Sequence, residues 1–136
     1  MWEHFHHQAD IGVRGVGETI EEAFEEGAAA LMAVMCSIEK VAAKEEVVIQ
    51  CEAEETELLF ADWLNSIIYE MDTRRMLFSR FEVSINGNKL DGKMWGEKIN
   101  PDKHETAVEV KAATYMMLKA EKNSNDKWIA QCVVDV

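Results

Sequence analysis

His7 and Asp10 stand three residues apart in the stretch HHQADIGVRGVG, residues 6–17. The pair could lend one nitrogen and one oxygen to a metal, or form only the polar lip of an opening strand. On a regular strand, residues three apart tend to face opposite ways, so the spacing alone is a weak signal. The far end of the chain adds to it. In VVDV, residues 133–136, Asp135 sits within an apolar run. A carboxylate there either lies past the sheet in water or is compensated by a lysine or a cation. The carboxylate of Val136 would add a second oxygen group, and two such groups repel unless a cation lies between them. With Asp10 nearby, the set would be oxygen-rich, which suits Ca²⁺, Mg²⁺ or Mn²⁺ over Zn²⁺.

Other residues invite chemical readings of their own. Lys111, in AVEVKAATY, shares a face with Glu109, opposite Val108, Val110 and Ala112, as on a solvated sheet face. Glu97 and His104 flank Pro101; a His–Glu pair can do acid–base work, although a surface-loop histidine is the commoner case. His4 and His6 read as structural or surface residues, and Trp95 and Trp128 as packing residues. The cysteines, Cys36, Cys51 and Cys132, are odd in number and widely spaced, with no zinc pattern or disulfide framework. A reducing compartment is the simplest expectation. No Ser-His-Asp order, phosphate loop, Cys-x-x-Cys or RNA-binding aromatic signature is present.

The elements that must position these residues follow from patterning. The 136 residues are 48% hydrophobic, enough for one domain with a real core. No linker or repeat divides residues 1–136. The net charge of −12 repels a phosphate backbone, which argues against autonomous nucleic-acid binding. The amino-terminal stretch lacks signal-peptide character, and no apolar run approaches a membrane span, so a soluble cytoplasmic protein is expected. An extended stretch over residues 4–16 opens the chain, loosened by Gly12, Gly15 and Gly17, which either bulge it or let another group approach closely. Thr19 and Glu22 form a capping box for a helix whose apolar face carries Phe24, Ala28, Leu31, Met32 and Met35. VVIQCEA reads as a strand. A second helix starts near Thr56 as N-cap, with Phe60, Trp63, Leu64, Ile67 and Met71 in its stripe and Asp62 and Asn65 off its centre. The second half is β: RFEVSI, a hairpin at Asn86-Gly87, KLDGKMWGE, a loop around Pro101, one long strand AVEVKAATYMMLKAEK bulged near Ala112-Ala113, and KWIAQCVVDV. The order β-α-β-α-β-β-β-β predicts an α+β domain, a mostly antiparallel sheet with two helices on one face.

These motifs resemble a known family. His7-Gln-Ala-Asp10-Ile-Gly is similar to the opening His-Thr-Ala-Asp-x-Gly of the archeases. DWLNSIIYEMDT from Asp62, LFSRFEV, WGE with the later His104-Glu105, VKAATY and the aspartate one residue from the end also resemble that family, in order, from His7 to Val136. Gln8 replaces the family threonine. The resemblance implies a cytosolic protein cofactor, not itself an enzyme, of the RtcB-type RNA ligase that joins tRNA halves in tRNA splicing with GTP and Mn²⁺. The cofactor promotes guanylylation of the ligase and multiple turnover, and meets tRNA only through the ligase. It further implies that Asp10, Lys111 and Asp135 are the functional residues. Asp10 and Asp135, with Val136, would form a divalent-cation site, seen as Ca²⁺ in crystals of the family. Two other classes compete: a stand-alone metal-dependent hydrolase using Asp10, Asp135 and His7 or His104, and a chaperone-like module whose acidic surface holds basic partners.

Overall fold

The computed structural model describes residues 1–136. The chain is a single α+β domain built from two antiparallel sheets, with helices between and beside them. One cluster of 31 buried residues draws from both sheets and both long helices, so the layers share one core.

The opening stretch is a hairpin, not one strand: β1 (Trp2–His7) turns at Gln8-Ala9 into β2 (Asp10–Gly17). Gln8 takes a positive φ of 56°, unusual for a side chain without turn preference, and this hid the turn from sequence patterning. Of the two readings of the glycines, close approach is the one realised at Gly15. A Cβ on Gly15 would collide with the backbone of Ala23 and Gly27, so glycine lets the next helix lie directly on β2.

That helix, α1 (Ile20–Met35), starts as expected, with the Thr19 hydroxyl accepting the Glu22 N–H at 3.1 Å. A 3-10 turn at Ile38–Lys40 leads to β3 (Glu45–Glu52). The second helix, α2 (Thr56–Arg74), has Glu55 at its N-cap rather than Thr56, without a side-chain cap bond. Trp63 of α2 is fully buried and its indole N–H donates to the Phe24 carbonyl of α1 at 3.1 Å, fixing the two helices against each other.

Next come β4 (Met76–Asn86) and β5 (Lys89–Lys98). Their turn is Gly87-Asn88, one residue later than the Asn-Gly signal suggests. Gly87 takes the positive φ at the first central position, as a type II′ turn favours. The Pro101 loop contains a short helix, α3 (Pro101–His104), capped by Asn100, whose side chain accepts the Lys103 N–H at 3.3 Å.

The long strand expected after it does not form. Only β6 (Ala112–Ala113) and β7 (Lys119–Lys122) are strands. Between them the Thr114 hydroxyl donates to Val133 O at 2.7 Å and accepts the Met116 N–H at 3.1 Å, a side-chain turn that breaks the ladder. The alternation upstream fails too: Val110 is buried but Val108 is exposed. The last strand is β8 (Trp128–Asp135).

The predicted single sheet is therefore two. The five-stranded sheet runs β1-β2-β8-β6, with β7 also on β8; the three-stranded sheet runs β3-β5-β4. No helix is long and apolar enough to cross a membrane.

Candidate functional site

The two ends of the chain meet at one end of the five-stranded sheet. His7 lies opposite Asp10 across the first hairpin, and Ile11 lies opposite Val134 between β2 and β8. One step beyond that last pair, Asp10 and Asp135 come opposite each other. The strand pleat sets His7, Asp10 and Asp135 in one row on one face of the sheet. This reverses the expectation that His7 and Asp10 face apart: the turn at Gln8 makes them a cross-strand pair. The row lies on the face turned away from α1, since Gly15, one face over, abuts that helix.

Lys111 arrives from the third side. Ala112 pairs with Asp135, and the Lys111 N–H donates to the Asp135 carbonyl at 2.7 Å. Asn65, on α2, holds this segment in place. Its carboxamide accepts the Ala113 N–H at 2.8 Å and donates to the Ala113 carbonyl at 3.2 Å, so both backbone groups are closed by one side chain. Sequence patterning misses this role, because Asn65 shows only as a polar residue off an apolar stripe.

Asp10 is half-buried, and Lys111 and Asp135 are exposed. The molecule's ion pairs lie elsewhere, for example at Glu3, Glu97 and Glu105, and none involves these three residues. The Nδ1 atom of His7 is buried without a hydrogen-bond partner, beside Asp10. No group of three or more His, Cys, Asp or Glu side chains is close enough to enclose a metal. The corner thus presents two side-chain carboxylates, those of Asp10 and Asp135. Such oxygen donors fit a hard divalent cation that completes its shell with waters or phosphate oxygens, as Mg²⁺ and Mn²⁺ sites commonly do.

The other sequence candidate, Glu97 with His104, has a different character. His104 is fully buried. Its Nδ1 accepts the Asn100 N–H at 2.9 Å, so the ring proton sits on Nε2 and is donated to Glu97 at 2.8 Å. The backbone N–H of Ala42, then Lys103, then His104 hold the Glu97 carboxyl well below the usual carboxylate range. Both ring nitrogens are engaged, leaving no base free for a substrate. The pair braces the end of β5 against the segment before β3 and α3.

The thiols are equally quiet. Burial pushes Cys132 up to about 12 and Cys36 up to about 11, and also raises Cys51. His4 bonds the Ala30 carbonyl of α1 at 2.8 Å, and Arg80 stacks on the half-buried Trp95.

Fold and corner together define a class: a small two-sheet α+β protein whose opening and closing strands bring acidic residues beside a lysine. The model of the archease protein family matches residues 2–136, and the chain belongs to that family. It is 42% identical over 140 residues to the protein archease of Pyrococcus furiosus, covering 100% of this chain and 99% of that one. It is 44% identical over 139 residues to that of Thermococcus kodakarensis, covering 99% and 98%. The solution structure of Methanobacterium thermoautotrophicum protein 1598 superposes with a TM-score of 0.85 at 33% identity, over 99% of this chain and 98% of the other. The Thermotoga maritima crystal structure, described as "an archease, possible chaperone", gives a TM-score of 0.65 at 26% identity, over 100% and 98%.

Proposed function

We propose that this archease is the protein cofactor of an RtcB-type RNA ligase, acting in the cytoplasm on tRNA splicing and RNA repair, and that Asp10, Lys111 and Asp135 carry the function. The observation behind this reading is the convergence of these three residues, unpaired, at one sheet end of an archease fold. Charges left unpaired by the protein itself are available to a partner's phosphates or metal. In this reading Asp10, Asp135 and Val136 hold a divalent cation, Ca²⁺, Mg²⁺ or Mn²⁺, which would neutralise charge on a nucleotide's phosphates. Lys111 offsets phosphate charge directly, and the carboxylates orient toward the cation. The contribution is positioning and electrostatics, the main tools available for nucleotidyl transfer. RNA is met only through the ligase, in keeping with the net charge of −12.

A ligation assay with limiting ligase, GTP and Mn²⁺ tests this. Added protein is expected to raise turnover and ligase guanylylation. Asp10→Ala and Asp135→Ala are each expected to cost on the order of 10²-fold of that stimulation, with the fold intact. No stimulation overturns the reading; stimulation that survives both substitutions overturns the site.

A second reading, a chaperone-like module, is favoured by the description of the Thermotoga maritima protein. It predicts that all three site substitutions are silent while charge reversal at Glu21, Glu22, Glu25 and Glu26 is not. Turnover of GTP without a ligase would instead favour the stand-alone hydrolase.

A further inference from the structure

The three-stranded sheet has two edges, and the protein treats them differently. At the β4 edge, Glu25 of α1 reaches over and accepts the Val83 N–H at 2.9 Å. The β3 edge has no such cover. Ala53 N–H bonds Asn88 O on the β5 side, so alternation turns the backbone of Glu46, Val48, Gln50 and Glu52 outward. No side chain or main-chain group of the molecule bonds those four outward amides. The strand is eight residues long and pairs one-to-one with β5 throughout, a regular template. Val48, in its middle, is 55% exposed.

A cleft of ≈ 530 Å³ lies along this edge between β3 and α2. Its walls carry three carboxylates, Glu52, Asp62 and Glu70, with Gln50, Ser66 and Tyr69, and no lysine or arginine. Glu45 and Glu46 continue the negative charge along the strand. A second copy of the chain pairing here would set glutamate against glutamate, which the charge pattern opposes. A strand bearing lysine or arginine meets complementary charge along its length.

We propose that the free edge of β3 and its cleft take an extended, basic segment of a protein partner by strand addition. Backbone bonds to the outward groups of β3 supply affinity, and Glu52, Asp62 and Glu70 select the basic side chains. Asn65 lines the same cleft and also clamps Ala113, so the docked segment would end beside the strand stub that follows Lys111. The proposal does not depend on the identity of the partner or on the ligase reading.

The test uses the full chain and a fluorescent peptide of alternating lysine and valine. Saturable binding is expected, with slowed hydrogen exchange at the Val48 and Gln50 amides. Binding should weaken at least about tenfold when alternate peptide amides are N-methylated, or in Val48→Pro, which removes one outward donor on an edge strand that tolerates proline. The double variant Glu52→Lys with Asp62→Lys should weaken it similarly and keeps the test open if Val48→Pro does not fold. The proposal is overturned if the peptide does not bind, if N-methylation is silent, if a glutamate–valine peptide binds equally, or if protection appears away from β3. Sedimentation showing dimers that protect β3 without peptide would assign the edge to a second copy and overturn it as well.

Discussion

Two corners of this molecule look chemical in sequence, and they differ in where their charges go. At the Glu97–His104 corner every polar atom is spoken for: the carboxylate collects the Ala42 amide, Lys103 and His104, and the ring's other nitrogen takes the Asn100 amide. At the Asp10–Asp135–Lys111 corner only the backbone is bonded, and the side-chain charges stay free of one another's ion-pairing range. A closed set stabilises the fold, since removing one member strands the rest in a buried setting. An open set contributes little to folding, since two neighbouring carboxylates repel, and is affordable where something external completes it.

The largest effect that would break this contrast is on stability. Glu97→Gln removes the negative charge that four donors share, the Lys44 ammonium at 3.5 Å with Ala42, Lys103 and His104, and turns one of its two acceptor oxygens into a donor. A marked drop in melting temperature is expected by calorimetry, with ligase stimulation per folded molecule unchanged. Asp10→Asn and Asp135→Asn should do the reverse, shifting stability by no more than about 0.5 kcal/mol, in either direction. If Glu97→Gln instead leaves the melting temperature alone and removes stimulation, the roles of the corners are exchanged.

Asn65→Ala has a smaller effect and sharpens the contrast, because it touches both stability and site. It strands the N–H and C=O of Ala113 at the edge of the core, at a cost of about 1–3 kcal/mol. It also frees the segment whose Lys111 amide bonds Asp135, so stimulation should fall by a smaller factor than in Asp135→Ala. Faster hydrogen exchange at the Ala113 and Lys111 amides would report the loosening directly. Unchanged exchange there would show that pairing with β8 alone holds the segment.

These expectations rest on contacts that sequence patterning reaches unevenly. α1 is legible because Thr19 and the spacing of Phe24, Ala28, Leu31 and Met35 are local signals that agree with burial. The β4–β5 hairpin is legible because Gly87 supplies the positive φ it needs. The first hairpin is not, because its turn rests on a positive φ at Gln8, a residue type that does not signal one. The break after Ala113 is hidden in the same way: Thr114 is β-branched and reads as strand, while its hydroxyl bonds to a strand far along the chain. At the candidate site, the residue types stand out at both ends of the chain. The row joining His7, Asp10 and Asp135 does not, since it depends on the missed turn and on a long-range register. Glu97 with His104 shows the converse, a suggestive pair whose partners, Ala42 and Lys103, show only in the fold.

The smallest effect near neutral pH, and the most discriminating on acidification, comes from carboxylates whose folded environments push in opposite directions. Glu97 is held below the usual range by its donors, and Glu105 by Lys40 and then Ser37. A carboxyl that is more acidic in the folded state contributes stability that is present above its unfolded value, 4.5, and is lost as pH falls toward the folded one. Glu25 runs the other way. Burial against β4 raises it despite the Val83 N–H, so its ionisation costs stability at neutral pH, and that cost is relieved as pH falls through the raised value. As pH falls from 7 toward the ordinary carboxylate range, the two raised groups, Glu25 and the Glu57-bonded Glu55, take up protons first, and stability should be flat or rise slightly; below that range Glu97 and Glu105 dominate and it should fall. Denaturant melts of three proteins separate the groups. The gap between wild type and Glu97→Gln should close as pH drops below the ordinary carboxylate range. Glu25→Gln should reduce the shallow gain on mild acidification and keep the acid loss. A wild-type gap to Glu97→Gln that is constant with pH would mean that Glu97 acts by packing alone, and the closed corner would then owe its stability to shape rather than to charge.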